Sequence, residues 1–123
     1  MKNTISWFEI PVKNFERAKS FYETILAGEV TMMPNQKVKY GFLPCDPQGG
    51  GVGGAIIEGE GSEPSDKGTL IYLNGGEDLN LPLSKTESAG GKIILPKQSI
   101  GEYGFIALIS DTEGNKIGLH SMK

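Results

Sequence analysis

Cysteine, arginine, histidine and tryptophan each occur only once in this chain, at Cys45, Arg17, His120 and Trp7. Each scarcity excludes something. A single cysteine rules out a disulfide framework and fits a reducing compartment, so a cytoplasmic location is expected. Cys45 itself sits in Leu43-Pro44-Cys45-Asp46, with an acid rather than a base beside it, and reads as a loop thiol. One arginine among eleven scattered lysines, with a net charge of −3, disfavours nucleic acid as a partner. The lone histidine, three residues from the end and without a Gly-x-Ser-x-Gly element, supports no Ser-His-Asp arrangement. No apolar run approaches the ~18 residues needed to span a bilayer, and no basic-then-apolar leader opens the chain. No membrane association is expected.

What is abundant is glycine, 18 in 123 residues, and its placement marks a repeat. Trp7–Val12 reads as a strand, followed by a helix with Asn14 as N-cap, Phe15, Ala18, Tyr22 and Ile25 inward, and Gly28 as its stop. Thr69–Leu73 reads as a second such strand. A helix starting near Asn80 follows, with Pro82 in its first turn, Leu79, Leu83, Thr86 and Ala89 inward, and Gly90-Gly91 as its stop. Three strand-like runs follow each helix: Glu29–Met33, Val38–Leu43 and Gly53–Ile57, then Lys92–Leu95, Phe105–Ile109 and Lys116–His120. Asp46–Gly51 reads as a mobile turn and Pro96–Gly104 as a polar loop bordering a cleft. Asp111-Thr112-Glu113-Gly114-Asn115 reads as a hairpin turn with solvated acids. Tyr22 and Tyr72 read as core.

The expected architecture is a single α+β domain over 1–123. It comprises module one (1–60), a linker (61–66) and module two (67–123), two βαβββ units with pseudo-two-fold symmetry. They form a curved mixed sheet around a cleft, with helices on the convex side.

Phe8-Glu9-Ile10-Pro11-Val12 followed by Arg17-Ala18 and Phe21-Tyr22 resembles the opening unit of the vicinal oxygen chelate superfamily. That superfamily includes glyoxalase I, extradiol dioxygenases, and fosfomycin- and bleomycin-resistance proteins. Ala89-Gly90-Gly91-Lys92 and Asp111-Thr112-Glu113-Gly114-Asn115-Lys116-Ile117 resemble its second unit. The resemblance spans the whole chain and implies paired modules, a cup-shaped sheet and a homodimer. It also implies four metal-binding positions, matched here by Trp7, Gly54, Thr69 and Gly118, where relatives carry His or carboxylate ligands. None of the four offers a ligand set for Zn, Ni, Fe or Mn, so no metal and no other cofactor is expected.

Strand alternation would add Glu9, Ile56, Ile71 and His120 to the cleft. Glu9 and His120 are its only ionisable members and the candidates for acid–base work, against a plain structural role for each. Trp7 would serve as an aromatic wall. The expected function is therefore a metal-free member of this superfamily that binds a small, partly apolar molecule in the cleft. Two catalytic alternatives stay open. One is a metal-dependent lyase of lactoylglutathione lyase type, or a dioxygenase, with displaced ligands such as Glu9 and His120. The other is a metal-independent isomerase or lyase with Glu9 as base.

Overall fold

A computed structural model describes residues 3–34, 38–46 and 48–123. Module one runs β1 (Trp7–Pro11), α1 (Phe15–Leu26), β2 (Thr31–Met32), β3 (Lys39–Phe42) and β4 (Gly53–Glu58). Module two repeats the order with β5 (Tyr72–Asn74), α2 (Asn80–Thr86), β6 (Lys92–Ser99), a 3-10 turn (Gly101–Tyr103), β7 (Phe105–Ser110) and β8 (Lys116–Ser121). Each module forms a four-stranded mixed sheet. The orders are β1-β4-β3-β2 and β5-β8-β7-β6, with β1/β4 and β5/β8 parallel and the remaining pairs antiparallel. The α+β fold of two βαβββ modules is thus as the sequence implies. No helix among the described residues is long and apolar enough to cross a membrane.

Each sheet has a covered face and an open face. On the covered faces Ile10, Ile56, Leu73, Leu119, Ala107 and Ile109 are buried together with Phe15, Phe21 and Tyr22 of α1 in one core. Fully burying one aromatic or aliphatic side chain of this kind contributes about 1.5–3 kcal/mol. Backbone separation decides some of these contacts. A methyl on Gly41 would lie 2.6 Å from Val30 Cγ1 and 2.8 Å from Phe15 Cζ, so glycine lets α1 settle onto β3. Asn14 caps α1 as its residue type predicts, accepting from the Arg17 N–H at 3.1 Å.

Several elements depart from the sequence reading. The stop of α1 is Ala27, in the left-handed region at φ 53°, ψ 47°. Gly28 instead serves a close approach, since a Cβ there would lie 2.7 Å from Pro44 Cβ. β2 shrinks to two residues, β5 begins three residues late at Tyr72, and β6 runs on to Ser99 through two register shifts. The first four residues of the polar loop expected over Pro96–Gly104 are therefore strand, and Gly101–Tyr103 form the 3-10 turn. Pro47, in the turn between β3 and β4, lies outside the described residues.

The largest departure is the turn 111–115. Asp111, Glu113 and Asn115 are not solvated but buried, at 4%, 5% and 5% exposure, because the turn docks on the start of α1. Glu113 accepts from the backbone N–H groups of Lys13 and Asn14, both at 2.8 Å, and from Arg17 Nε at 2.7 Å. Burial would raise the Glu113 pKa, but the bonds from Arg17, Asn14, Thr112 and Lys13 outweigh it and hold the carboxyl at about 2. Asp111 accepts the buried Tyr22 hydroxyl at 2.6 Å and the N–H groups of Glu113 and Asn115. Burial, with the Asp111 charge adding to it, pushes the Tyr22 phenol well above its ordinary value. Asn115 Nδ2 reaches the Pro11 carbonyl at 2.7 Å, and its Oδ1 accepts from Ser65 N–H in the linker.

Candidate functional site

The register fixes which residues share a face. Trp7 pairs with Gly53 and Glu9 with Ala55, while Phe8 pairs with Gly54 and the buried Ile10 with Ile56. In module two, Tyr72 pairs with Gly118 and Asn74 with His120, while Leu73 pairs with Leu119. The inward pairs are 63 residues apart in both strands, Ile10 to Leu73 and Ile56 to Leu119. That spacing corrects two of the four symmetry-related positions. The partner of Gly118 is Ala55, not Gly54, and the partner of Trp7 is Leu70, not Thr69.

The expected cleft set therefore divides. Trp7, Glu9, Gly118 and His120 lie on open faces. Gly54 lies on the covered face beneath the Phe8 ring, Ile56 is fully buried in the core, and Ile71 packs against that core. Thr69 is exposed ahead of β5, in a second, inter-module groove that also holds Phe8, Gly54, Ile71 and the exposed Cys45. The errors have one physical origin. Alternation flips every side chain when a strand is displaced by one residue, and the glycine pair Gly53-Gly54 offers no side chain to fix the register. Tyr72, read as core, is 47% exposed for the same reason and lies flat over Gly118.

The open face of module one is aromatic. Trp7 Nε1 donates to the Tyr40 hydroxyl at 2.8 Å, and that hydroxyl donates to Glu9 Oε2 at 2.7 Å. Phe42 meets both rings edge-on, with centroids 5.8 Å from Trp7 and 5.6 Å from Tyr40. Partial burial and the bond to Glu9 raise the Tyr40 phenol, with the Trp7 donor opposing. Tyr40 and Phe42 were missed as site residues. Alternation within β3 sets Tyr40 and Phe42 on one face, but β4 lies between β3 and β1, so no spacing in the sequence set them near Glu9.

The open face of module two forms a cleft of about 930 Å³. His120 stands between its cross-strand neighbours Asn74 and Ile106, with Tyr72, Ile100 and Met122 as apolar surroundings. His120 Nε2 lies 2.6 Å from the Tyr103 carbonyl. A carbonyl only accepts, so Nε2 carries a hydrogen and Nδ1 is the ring nitrogen left for another partner. The 3-10 turn that supplies this carbonyl is set by Gly104 at φ 103°, where any Cβ would strike the Ser121 carbonyl. Among the described residues no three His, Cys, Asp or Glu side chains converge. The four symmetry-related positions, Trp7, Ala55, Leu70 and Gly118, carry no side chain able to ligate a divalent metal, so the family metal does not fit them.

The sequence model of the Glyoxalase/Bleomycin resistance protein/Dioxygenase superfamily matches residues 4–119. The chain belongs to this superfamily. Solved structures agree on the fold. A glyoxalase/bleomycin resistance protein from Albidiferax ferrireducens T118 superposes with a TM-score of 0.73 at 16% identity, covering 95% of this chain and 97% of that one. A glyoxalase/bleomycin resistance protein/dioxygenase family enzyme from Burkholderia phytofirmans PsJN gives 0.70 at 14% identity, over 96% and 98%. The fosfomycin resistance protein FosX from Listeria monocytogenes gives 0.66 at 14% identity, over 98% and 92%. Comparison with curated proteins finds no significant match. Identities this low speak for the fold alone, and the glyoxalase-fold chain must be assigned a function from its own site.

Proposed function

We propose that this member of the superfamily binds a small, partly apolar molecule in the module-two cleft and does so without the family metal. The observation that supports this most is the cleft itself, apolar around Tyr72, Ile106 and Met122, with His120 set beside Asn74 as its polar anchor. An apolar hollow with few fixed polar groups is the usual form of a small-molecule site. With Nε2 held by the Tyr103 carbonyl, His120 has Nδ1 left to orient the ligand. Tyr72 lying over Gly118 forms part of the floor. Ile94 on the edge strand β6 and Leu81 on α2, 51% and 57% exposed, support a homodimer in which a second copy covers them.

The competing reading is a metal-independent isomerase or lyase. On this geometry His120 is a better-oriented base than Glu9, whose Oε2 already accepts from Tyr40.

Elemental analysis of protein purified without a metal-affinity tag should give substoichiometric Zn, Ni, Fe and Mn. Native mass spectrometry of the same sample should find a co-purified small molecule on a dimeric mass, lost in His120→Ala. One tightly held metal equivalent, lost in Glu9→Gln or His120→Ala, would overturn the metal-free reading. An adduct that survives His120→Ala in a folded variant would move the ligand out of this cleft.

A further inference from the structure

We infer that the open face of module one is a second binding site, for an organic cation such as a quaternary or protonated amine. The argument rests on hydrogen-bond direction. Trp7 spends its only N–H on the Tyr40 hydroxyl, and Tyr40 spends its O–H on Glu9. The face therefore has no side-chain donor left among these three residues. What it still presents is acceptor in character: the second oxygen of Glu9 and the π-faces of Trp7, Tyr40 and Phe42. Such a surface suits a positively charged group over a ring, with a carboxylate to balance it.

Charge placement agrees. By strand register the open face of module one carries Trp7, Glu9, Tyr40, Phe42, Gly53, Ala55 and Ile57 beside Thr31 and Pro11. Glu9 is the only charged residue in that set of described residues. Glycine at 53 keeps the wall low: a Cβ there would lie 3.1 Å from the Trp7 ring and 3.2 Å from Cys45 Sγ. Trp7 remains 42% exposed, so an incoming group can reach it. An anion would meet a carboxylate and the negative faces of three rings, and a neutral apolar molecule would leave the Glu9 charge without a partner.

The test uses the one tryptophan of the chain as its own reporter. Choline is titrated into the full-length protein at fixed ionic strength, and its neutral isostere 3,3-dimethyl-1-butanol serves as control. The expected result is a saturable change in Trp7 fluorescence with choline in the millimolar range and none with the alcohol. Glu9→Gln, on an exposed side chain, should fold normally by thermal unfolding and weaken choline about tenfold, and Tyr40→Phe should weaken it about threefold by freeing Glu9 to rotate. His120→Ala should leave choline binding unchanged, which separates this site from the module-two cleft. The inference is overturned if choline gives no saturable change, if the alcohol matches it, or if Glu9→Gln binds choline as well as the parent protein.

Discussion

The two modules close their sheets with turns of opposite character. Between β3 and β4, residues 48–51 are exposed, and among the described residues the Asp46 side chain accepts only from the neighbouring Gln48 N–H at 2.9 Å. Between β7 and β8, the turn 111–115 is buried and holds α1 of the other module through an Arg17–Glu113 pair and the Tyr22–Asp111 bond. One copy of a repeated element ends a hairpin, and the other joins the halves. A duplicated unit thus need not distribute stability evenly. The repeat with acids at its turn carries the interface, while the repeat with glycines ends in an exposed turn.

The contrast is broken most severely by Asp111→Ala. It would strand the Tyr22 hydroxyl and two backbone N–H groups in the interior, at about 3–5 kcal/mol. Asp46→Ala, its nearest counterpart, should cost less than about 1 kcal/mol, and urea unfolding of the two variants side by side measures the difference. Acid acts on the same turn. Glu113 is held at about 2 against an ordinary value of 4.5, so its contribution is complete above roughly pH 4.5 and fades as pH falls toward 2. That contribution is on the order of 3 kcal/mol. The melting temperature should therefore fall steeply between about pH 4.5 and 2, and the fall should flatten in Glu113→Gln, from a lower starting stability.

A third comparison sets Gly41 against Ala107, which hold matching register positions opposite Ile56 and Leu119. Module two accommodates the methyl, and module one packs Phe15 and Val30 where it would go. Gly41→Ala should accordingly cost about 1–2 kcal/mol by the same unfolding assay. The smallest expected effect has the opposite sign. Ala27→Gly relieves a left-handed alanine at the end of α1 and should stabilise by roughly 0.5–1 kcal/mol.

The order of elements was legible because periodicity and glycine stops act locally. Phe15, Ala18, Tyr22 and Ile25 do face inward, and each strand overlaps its expected segment, with β4, β5, β7 and β8 running one residue past it and β6 four. What was not legible is relational. Glu113 and Asp111 look like surface acids until α1 is seen to supply Lys13, Asn14, Arg17 and Tyr22 as partners, about a hundred residues away in sequence. Trp7 and Glu9 lie on the open face of module one and Gly118 and His120 on that of module two, as alternation implies. Gly54, Ile56, Thr69 and Ile71 were displaced by one residue; Gly53-Gly54 give β4 no side chain to register against, and Thr69 and Ile71 precede a strand that begins only at Tyr72. Tyr40 was overlooked because its significance lies in the direction of a hydrogen bond, which no residue spacing encodes.

The closure of α1 by Glu113 also bears on how the chain is made. The carboxylate that receives the Lys13 N–H lies 100 residues downstream. During synthesis the helix leaves the ribosome long before its far partner exists, with Asn14 and the nearer Glu58 as its early support. Module one must then wait, half-finished, for the last hairpin to be translated. Contacts of such long sequence separation are formed slowly. The interval in which Phe8 and Tyr22 lack their final surroundings is the one in which a chaperone would find most to hold.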